Sequence, residues 1–178
     1  ALLQQRLSTW LSPLLDHYLV VVVDSADRLA YLQPGRGADP VQALASIPRL
    51  QSIVGHLRGR AAAMPDGAMR LFGGGPAQPP NRIAATVFLA DINGRLSVVT
   101  AAPIGGPGTG HEAPGNPPRP IMLSVRLIEQ IVLGNFGNQL QLANLRMMGR
   151  GEPAADGDNV REFVDSRGEQ IARFAWQP

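Results

Sequence analysis

The chain has 178 residues, of which 44% are hydrophobic and only 5% aromatic, and its formal net charge is +2. This length fits one domain with a sizeable core, alone or with a helical extension. The absence of cysteine excludes disulfides, a thiolate nucleophile and a cysteine-based metal site. Apart from histidine, the basic residues are all arginine and form no dense cluster, so nucleic acid is not expected as a partner.

The N-terminal part predicts a helix followed by a buried hairpin. Leucines and Trp10 recur at helical spacing over residues 1–15. We expect this segment to be an N-terminal helix ahead of one domain over residues 16–178. His17–Asp24 is an almost continuous apolar run, which is typical of a strand buried on both faces. Arg28–Gln33 is expected to pair back with it.

Two helical segments and a long loop follow. Asp39-Pro40 has the residues of a helix start, with aspartate as the cap and proline in the first turn. The apolar residues of Ile47–Arg60 lie on one stripe, so this segment is predicted to be an amphipathic helix with His56 near its polar edge. Ala, Gly and Pro dominate residues 61–82, and we predict a long loop there.

The second half of the chain alternates strands with connections rich in glycine, proline or polar residues. Its predicted strands are Ile83–Ala90, Arg95–Ile104, Pro120–Arg126, Val160–Val164 and Glu169–Trp176. Gly105–Pro118 is predicted to be a loop. Leu127–Leu133 is predicted to be a short helix closed by Gly134, whereas Gln139–Met147 fits neither the helix nor the strand period.

Three aspartates each follow a strand and begin a short turn into the next strand. They are Asp24, Asp91 and Asp165. We predict that their carboxylates shape the turns and perform no chemistry. Each turn needs a residue that tolerates a positive φ near its end, and Gly94, Gly168 and Asp27 stand there. We expect the turns to be corners of a single antiparallel sheet with helices to one side, which is an α+β domain.

No segment carries a complete motif for catalysis or metal binding. Gly105–Glu112 resembles a phosphate-binding loop but has His111 and Glu112 where the Walker pattern has lysine and a hydroxyl residue. Asp156–Asn159 begins like a calcium loop without the remaining ligands. The three histidines are far apart, and there is no Gly-x-Ser-x-Gly elbow. We therefore expect no catalytic residue, no metal and no cofactor, and no apolar run reaches the length of a membrane span.

The order of several segments resembles one family of sensor domains. The segments are His17–Leu29, Tyr31–Gly35, the helix Ile47–Arg60, the strand Leu96–Ile104 that ends in Ala-Ala-Pro-Ile, the strand and helix Pro120–Leu133, and the closing strand Gly168–Pro178. In this order they are similar to the CHASE-type extracytoplasmic sensor domains, specifically the fourth family of that name. The resemblance covers most of the chain, from about Trp10 to Pro178.

The resemblance implies a fold and a setting. The fold would be a PAS-like central antiparallel sheet with flanking helices and an N-terminal helix. The resemblance implies that residues 1–15 are a truncated N-terminal signalling helix. The domain would lie between two transmembrane helices on the periplasmic side of a bacterial inner membrane and bind an unidentified small molecule as a homodimer. It would regulate cytoplasmic GGDEF or EAL modules, which make or break cyclic di-GMP, or a histidine kinase. The alternatives are a ligand-free module for dimerisation or protein interaction and, in third place, a small enzyme.

The candidate ligand contacts of such a sensor are Tyr31, Arg70, Thr100 and Arg126. Tyr31 and Thr100 offer hydroxyl groups near strand centres. Arg126 ends a strand that should line the ligand cup, where it could hold a carboxylate in its guanidinium fork. Its alternative is a surface arginine or a partner of Glu129. Arg70 lies in the long loop that would close over the ligand.

Overall fold

The computed structural model describes residues 17–35, 38–61, 64–72, 85–105 and 117–177. Within these ranges the helices are α1 (Pro40–Ala45), α2 (Ile47–Leu57) and α3 (Gln130–Leu140). The strands are β1 (Leu19–Val23), β2 (Leu29–Pro34), β3 (Ala68–Phe72), β4 (Thr86–Ile92), β5 (Arg95–Pro103), β6 (Ile121–Leu127), β7 (Ala143–Met147), β8 (Asn159–Val164) and β9 (Gln170–Gln177). The predicted helix over residues 1–15 and parts of the predicted loops 61–82 and 105–118 lie outside the described residues.

The strands of the described residues form two antiparallel sheets. The large sheet has six strands in the order β2-β1-β6-β5-β4-β3, and the small sheet has three in the order β7-β9-β8. Every strand in the large sheet pairs with its neighbours in antiparallel fashion. The result is a mixed architecture of a large antiparallel sheet with few helices, as expected for the predicted α+β class.

Strand β1 lies inside the large sheet, where its apolar residues are buried on either side. It pairs with β2 on one edge and with β6 on the other. Successive side chains of a strand point to opposite faces. Leu19 and Val21 are buried on one face, and Val20 is buried on the other. The prediction of a strand buried on both faces is therefore confirmed.

Helices α1 and α2 cover one face of the large sheet, which we call the helix face. Asp39 caps α1 by accepting from the Val41 backbone N–H at 2.9 Å, and Pro40 lies in the first turn, as predicted. The buried core between α2 and the sheet includes Leu19, Val21, Leu50, Ile53, Val54, Phe88, Val99, Ile121, Leu123 and Val125. Full burial of such a side chain is favourable by about 1.5–3 kcal/mol. This layer therefore holds the helices on the sheet.

The small sheet packs against the other face of the large sheet, which we call the second face. Leu89 and Leu96 of the large sheet meet Ala172 of β9 in a buried cluster. The partly buried side chains around it are Met69, Leu71, Ile128, Phe163, Ile171 and Phe174. The rings of Phe163 and Phe174 pack edge to face, with their centroids 5.7 Å apart. The two sheets thus share a second, smaller core.

The third aspartate turn belongs to the small sheet, so the prediction that all three turns are corners of one sheet is wrong. Asp165 stands between β8 and β9, whereas Asp24 and Asp91 lie in the β1–β2 and β4–β5 hairpins of the large sheet. Strand β9 pairs with β7 on one edge and β8 on the other. Its backbone hydrogen bonds are thereby used within the small sheet. It contacts the large sheet through side chains instead.

Two segment predictions are also corrected. Strand β3 lies inside the predicted loop 61–82 and pairs with β4. Helix α3 continues through Gly134 to Leu140 and ends where Gln141 adopts a left-handed conformation with φ 56°. Its packing against β7 stabilises the additional turns. The ambiguous segment Gln139–Met147 is thus the end of α3 together with β7.

Replacing Gly35 by alanine is expected to destabilise the fold by about 3 kcal/mol, the upper end for overpacked sites. The Gly35 N–H donates to the Tyr18 carbonyl at 2.8 Å, and an added Cβ would overlap the carbonyl oxygen of His17. No side-chain rotation relieves an overlap with backbone. Chemical denaturation measures the loss. Gly55→Ala is the control, since its Cβ meets nothing within 4 Å inside α2 and should stabilise by about 0.5–1 kcal/mol; equal stability of the two variants would contradict the close approach.

Candidate ligand-binding site

Three of the four predicted ligand contacts lie on one face of the large sheet. Residues directly opposite on neighbouring antiparallel strands share a face, as do residues two apart along a strand. Thr100 is opposite Ser124, which is two residues before Arg126 on β6. Tyr31 is opposite Val22 of β1, and the β6 residue opposite Val22 is two positions from Ser124. Tyr31, Thr100 and Arg126 therefore share the second face.

The three residues differ in their surroundings. Tyr31 is half-buried on β2; its hydroxyl donates to the side-chain amide two residues on, and burial raises the pKa of its phenol. Thr100 is half-buried on β5, three strand spacings or about 14 Å from β2. Arg126 is exposed, and Glu129, its expected alternative partner, accepts instead from Arg95 at 2.6 Å. These residues share a face without converging on one point.

A serine–histidine pair that sequence reasoning missed lies beside Thr100. The Oγ of Ser124 is 2.7 Å from Nδ1 of His17, just before β1. A hydroxyl and an imidazole at this distance are two parts of a nucleophile–base arrangement. However, β6 is paired on both edges, so the backbone around Ser124 is engaged in the sheet and offers no donors to an oxyanion. Strand alternation places Ser124 on this face, but no sequence pattern links it to His17.

Arg70 lies on the helix face, opposite to the other three predicted residues. It stands directly opposite Phe88 of β4, a member of the helix-face core. Its Nη2 is 2.9 Å from Nε2 of His56. The other ring nitrogen, Nδ1, is 3.2 Å from the Ala61 carbonyl oxygen, which can only accept. Nδ1 of His56 therefore carries the proton, and Nε2 accepts from Arg70.

The burial of His56 corrects its predicted position at the polar edge of the helix. His56 is 9% exposed. The last turn of α2 lies against β3, where the side chain meets Arg70. The sequence pattern misses this contact because it predicts a loop in place of β3.

Arg58 caps the carboxyl end of α2 and is only 6% exposed. Its Nη1 donates to the Ser25 carbonyl at 2.8 Å, and its Nη2 donates to the carbonyls of Asp24 and Arg119 at 2.9 Å. Nη1 also pairs with the Asp27 carboxylate at 2.9 Å. Desolvation lowers the pKa of Arg58, whereas the negative charge of Asp24 raises it. Arg58 thus fixes the β1–β2 turn and the start of β6 to the end of the helix.

His56 and Arg70 form what we call the basic site, where the last turn of α2 meets β3 at the edge of the large sheet. The partial negative charge at a helix carboxyl end favours cations. Arg58 contacts the β1–β2 turn and the Arg119 carbonyl just before β6 instead, and β6 is three strands away from β3. Sequence reasoning found only Arg70, because spacing along the chain gives no sign that it meets His56.

The aspartate turns of the large sheet have the predicted side-chain hydrogen bonds. Asp24 Oδ1 accepts from the backbone N–H groups of Ala26 and Arg28 at 2.8 and 2.9 Å. Asp91 Oδ1 accepts from the Gly94 N–H at 2.7 Å. The positive φ angles are 62° at Asp27, 76° at Gly94 and 81° at Gly168. The prediction that these carboxylates shape turns is confirmed.

The segment that begins like a calcium loop is an arginine-paired turn. Asp158 pairs with Arg146 and accepts from the Ala155 backbone N–H at 2.9 Å. The hydrogen bond from the Arg146 guanidinium lowers the pKa of Asp158. This carboxylate therefore has a structural role.

Asp165 shapes its own turn and also joins the two sheets. Its Oδ1 accepts from the N–H groups of Arg167 and Glu169 at 2.8 and 2.9 Å. Its Oδ2 accepts from the Gly67 N–H, just before β3, at 2.9 Å. Nearby, Arg167 pairs with Asp66 at 2.7 Å. The turn before β9 is thereby held to the turn before β3.

Replacing Asp165 by asparagine is expected to lower the melting temperature at neutral pH and to have less effect in acid. Hydrogen bonds from backbone N–H groups, that of Gly67 foremost, lower the folded-state pKa of Asp165 below its unfolded value of about 4. The carboxylate contributes stability above that pH, and the contribution is lost as the pH falls through the lowered folded-state value. The melting temperatures of the original chain and the variant, measured by thermal unfolding from about pH 7 to about pH 2, should converge as the pH falls. Asp156→Asn, in an exposed turn, is the charge-matched control. A difference in melting temperature between Asp165→Asn and the original chain that does not change with pH would refute the assignment.

Comparison with protein-family models and with curated protein sequences gave no match for this chain. In the described residues, no helix has the length and apolar character that a membrane span requires. The function must therefore be inferred from the residues themselves and from what their arrangement can bind.

Proposed function

We propose that this chain is the extracytoplasmic sensor domain of a membrane-anchored bacterial signalling protein and that it binds a small molecule. The observation that carries the proposal is the chain of contacts from Arg70 through His56 to the Ala61 carbonyl. It joins an edge strand to the end of a helix. A ligand bound there would act on both at once.

The sheet architecture supports the PAS-like part of the proposal. Two adjacent strands come first, α1 and α2 follow, and the next four strands complete one antiparallel sheet with these helices on one face. The resemblance to the CHASE-type domains implies a central antiparallel sheet with flanking helices, and these features support that part of the proposal. The small sheet is an addition on the second face.

The proposed signal passes from the site through β3. Arg70 is on this strand, and the turn before the strand is Asp66–Gly67. That turn is held by Asp165 and Arg167 of the turn before β9. A ligand that moves Arg70 would therefore shift the small sheet relative to the large one.

The proposed output lies in the parent protein. The shift would cross the membrane and change cyclic di-GMP turnover by a GGDEF or EAL module, or the activity of a kinase. In a homodimer it would be relayed as a rotation between subunits. The coding sequence on either side of this chain tests the setting. Apolar spans on both sides and an output module are expected, and their absence would overturn the periplasmic location.

Ligand sensing accounts for the geometry better than catalysis does. The serine–histidine pair lies on the second face, whereas the basic site lies on the helix face. The carboxylates of Asp24, Asp91 and Asp165 accept from backbone N–H groups of their own turns. A reaction site needs nucleophile, base and oxyanion donors within reach of one atom.

One observation favours a second candidate, a ligand-free module for dimerisation or protein interaction. Phe136 and Leu140 are one helical turn apart on α3 and are 47% and 63% exposed. Met147 on β7, which packs against α3, is also exposed. Exposed apolar side chains in one area fit contact with another protein surface.

Screening for ligands together with a measurement of assembly separates the two candidates. The chain is tested by thermal shift and calorimetry against neutral, cationic and anionic small molecules, and its mass is measured by analytical ultracentrifugation. Saturable stabilisation by any class supports sensing, and stabilisation by none overturns it. A dimer that dissociates on combined Phe136→Ser and Leu140→Ser substitution supports the dimerisation module, whereas a monomeric original chain overturns dimerisation.

A further inference from the structure

We propose that two copies of this chain pair through the exposed outer side of α1 and α2, with the two helical segments antiparallel about a twofold axis. The pairing goes beyond the sensing function, because it needs no ligand and does not involve the basic site. We call this outer side the outer seam. It consists of six residues on one side of the helical path: Val41, Leu44, Ala45, Pro48, Ser52 and Gly55.

The outer seam is one continuous stripe although it spans two helices. Ser46, between α1 and α2, keeps helical backbone angles, with φ −76° and ψ −19°. Its N–H donates to the Gln42 carbonyl at 3.2 Å, and its carbonyl accepts from the Leu50 N–H at 3.1 Å. Helical hydrogen bonding therefore continues across the junction. At about 100° per residue, the six residues of the seam fall within an arc that is itself about 100° wide.

The outer seam exposes apolar surface that does not contribute to the core. Val41 is 73% exposed and Leu44 is 55% exposed, and Ala45 and Pro48 are exposed as well. Residues 40–48 include no charged side chain. The opposite side of the same helices packs on the large sheet. An apolar and uncharged patch on an outer helix is typical of a surface that contacts another protein.

The seam has large side chains at one end and small ones at the other, which favours an antiparallel pair. Val41 and Leu44 stand at the amino end, whereas Ser52 and Gly55 stand at the carboxyl end. An added Cβ at Gly55 would meet nothing within 4 Å, so there is open space beside it. In an antiparallel pair, Val41 of one copy lies over Gly55 of the other, and Leu44 and Ala45 lie over Ser52. A parallel pair would set large against large and leave a gap between the small ends.

The polar groups near the seam are compatible with this contact. The Ser52 hydroxyl donates to the Pro48 carbonyl at 3.0 Å, so it keeps its partner when the seam is covered. Antiparallel pairing also brings Asp39, which is exposed at the start of α1, towards Arg60 of the second copy, whose side chain is 52% exposed. Opposite charges and opposite helix ends then face each other. A parallel pair would place like charges together.

The pair is expected to be weak for the chain by itself. A contact through one helical segment of each copy is at the small end of stable protein interfaces. We therefore expect a dissociation constant on the order of 10–100 μM. Two copies anchored in one membrane would have a higher effective concentration and would pair more completely.

Sedimentation velocity tests the pairing on the full chain between about 1 μM and about 500 μM, where the fraction of dimer should rise. Combined Val41→Ser and Leu44→Ser substitution should raise the dissociation constant at least about tenfold, because both side chains lose apolar contact in the pair. Phe136→Ser with Leu140→Ser makes matched changes on α3 and should leave the constant unchanged. A chain that stays monomeric throughout, or a dimer that dissociates only on the α3 substitutions, would overturn the proposal.

A larger residue at Gly55 separates specific pairing from general adhesion of apolar surfaces. Gly55→Leu adds apolar surface and a better helix former, so the single chain should fold at least as stably as the original. The new side chain occupies the space that Val41 of the second copy needs, so the dissociation constant should rise at least about tenfold. Association as tight as that of the original chain, or tighter, would overturn the proposed geometry.

Disulfide crosslinking tests the direction of the pairing, since the chain has no cysteine of its own. Ala45→Cys and Ser52→Cys chains are prepared separately and are oxidised alone and as a mixture. In the antiparallel pair these two positions face each other, whereas like positions are offset by about 10 Å along the helices. The mixed disulfide should therefore form faster than either symmetric one. Faster symmetric disulfides would indicate a parallel pair and would overturn the arrangement.

Failure of the pairing and failure of the sensing function give different results. If the chain stays monomeric and a small molecule stabilises it saturably, the pairing is overturned and sensing stands. If the chain dimerises through the outer seam and no small molecule stabilises it, the pairing stands and sensing is overturned.

Discussion

Replacement of Arg58 by methionine is expected to lower the free energy of unfolding by about 3 kcal/mol. The variant keeps an apolar stem but leaves Asp27 without its buried partner. It also removes the donor to the carbonyl oxygens of Asp24, Ser25 and Arg119. Breaking a buried ion pair costs about 3–5 kcal/mol, and the lower end applies because the Asp27 side chain is 23% exposed. Urea denaturation followed by circular dichroism measures the change.

Arg60→Met is the matched control because Arg60 pairs with the same carboxylate from the solvent side. The Arg60 side chain is 52% exposed against 2% for Arg58. Exposed ion pairs contribute about 0–1 kcal/mol. Both variants remove one guanidinium beside Asp27, but only Arg58→Met also removes the three carbonyl contacts. Equal losses in the two variants would show that the buried contacts of Arg58 do not stabilise the fold.

Replacement of Phe88 by alanine is expected to lower the free energy of unfolding by about 3–5 kcal/mol. Phe88 is fully buried on β4, between β3 and β5, where it packs in the helix-face core. The loss combines the transfer of a large apolar side chain with the cavity that remains. Chemical denaturation measures it, and an unchanged slope of the transition shows that the variant still unfolds in one step.

Phe136→Ala is the control for Phe88→Ala because it makes the same chemical change on α3. Phe136 is about half exposed, so its replacement should change stability by no more than about 0.5 kcal/mol. A loss at Phe88 as small as the loss at Phe136 would refute the assignment of Phe88 to the core.

The turns and the first helix start are predictable because each is set within a few residues. Asp24 binds N–H groups two and four residues further on, and Asp39 binds one two residues on. The apolar stripe of α2 is likewise visible as a period in the sequence. In all these cases the partners are local, so the pattern of residue types is sufficient.

Strand β3 is not predictable in this way. Its residues, Ala68–Phe72, stand in a stretch where alanine, glycine and proline dominate. They become a strand because β4 offers an edge with matching hydrogen-bonding groups. The length of α3 has the same kind of cause, since contact with β7 maintains the helix beyond Gly134.

The candidate site is only partly visible in the sequence. Strand alternation relates Thr100 to its neighbours on β5, but the face of Arg70 is unknown until β3 is placed. Arg58 and the Arg119 carbonyl are 61 residues apart in the chain and meet at 2.9 Å. No periodicity relates positions so distant. The sensing function and its membrane setting therefore stay proposals, based on the resemblance of ordered segments and on the basic site.

Four features follow from local patterns: the aspartate turns, the cap of α1, the buried strand β1 and the apolar stripe of α2. They depend on contacts within one turn or on alternation along one element. Three others depend on the packing of distant elements: the third turn belongs to the small sheet, His56 is buried against β3, and the basic site assembles at the end of α2. The reason is physical: strand pairing and the packing of faces bring together residues far apart in the chain, and their energy depends on partners that no local pattern specifies.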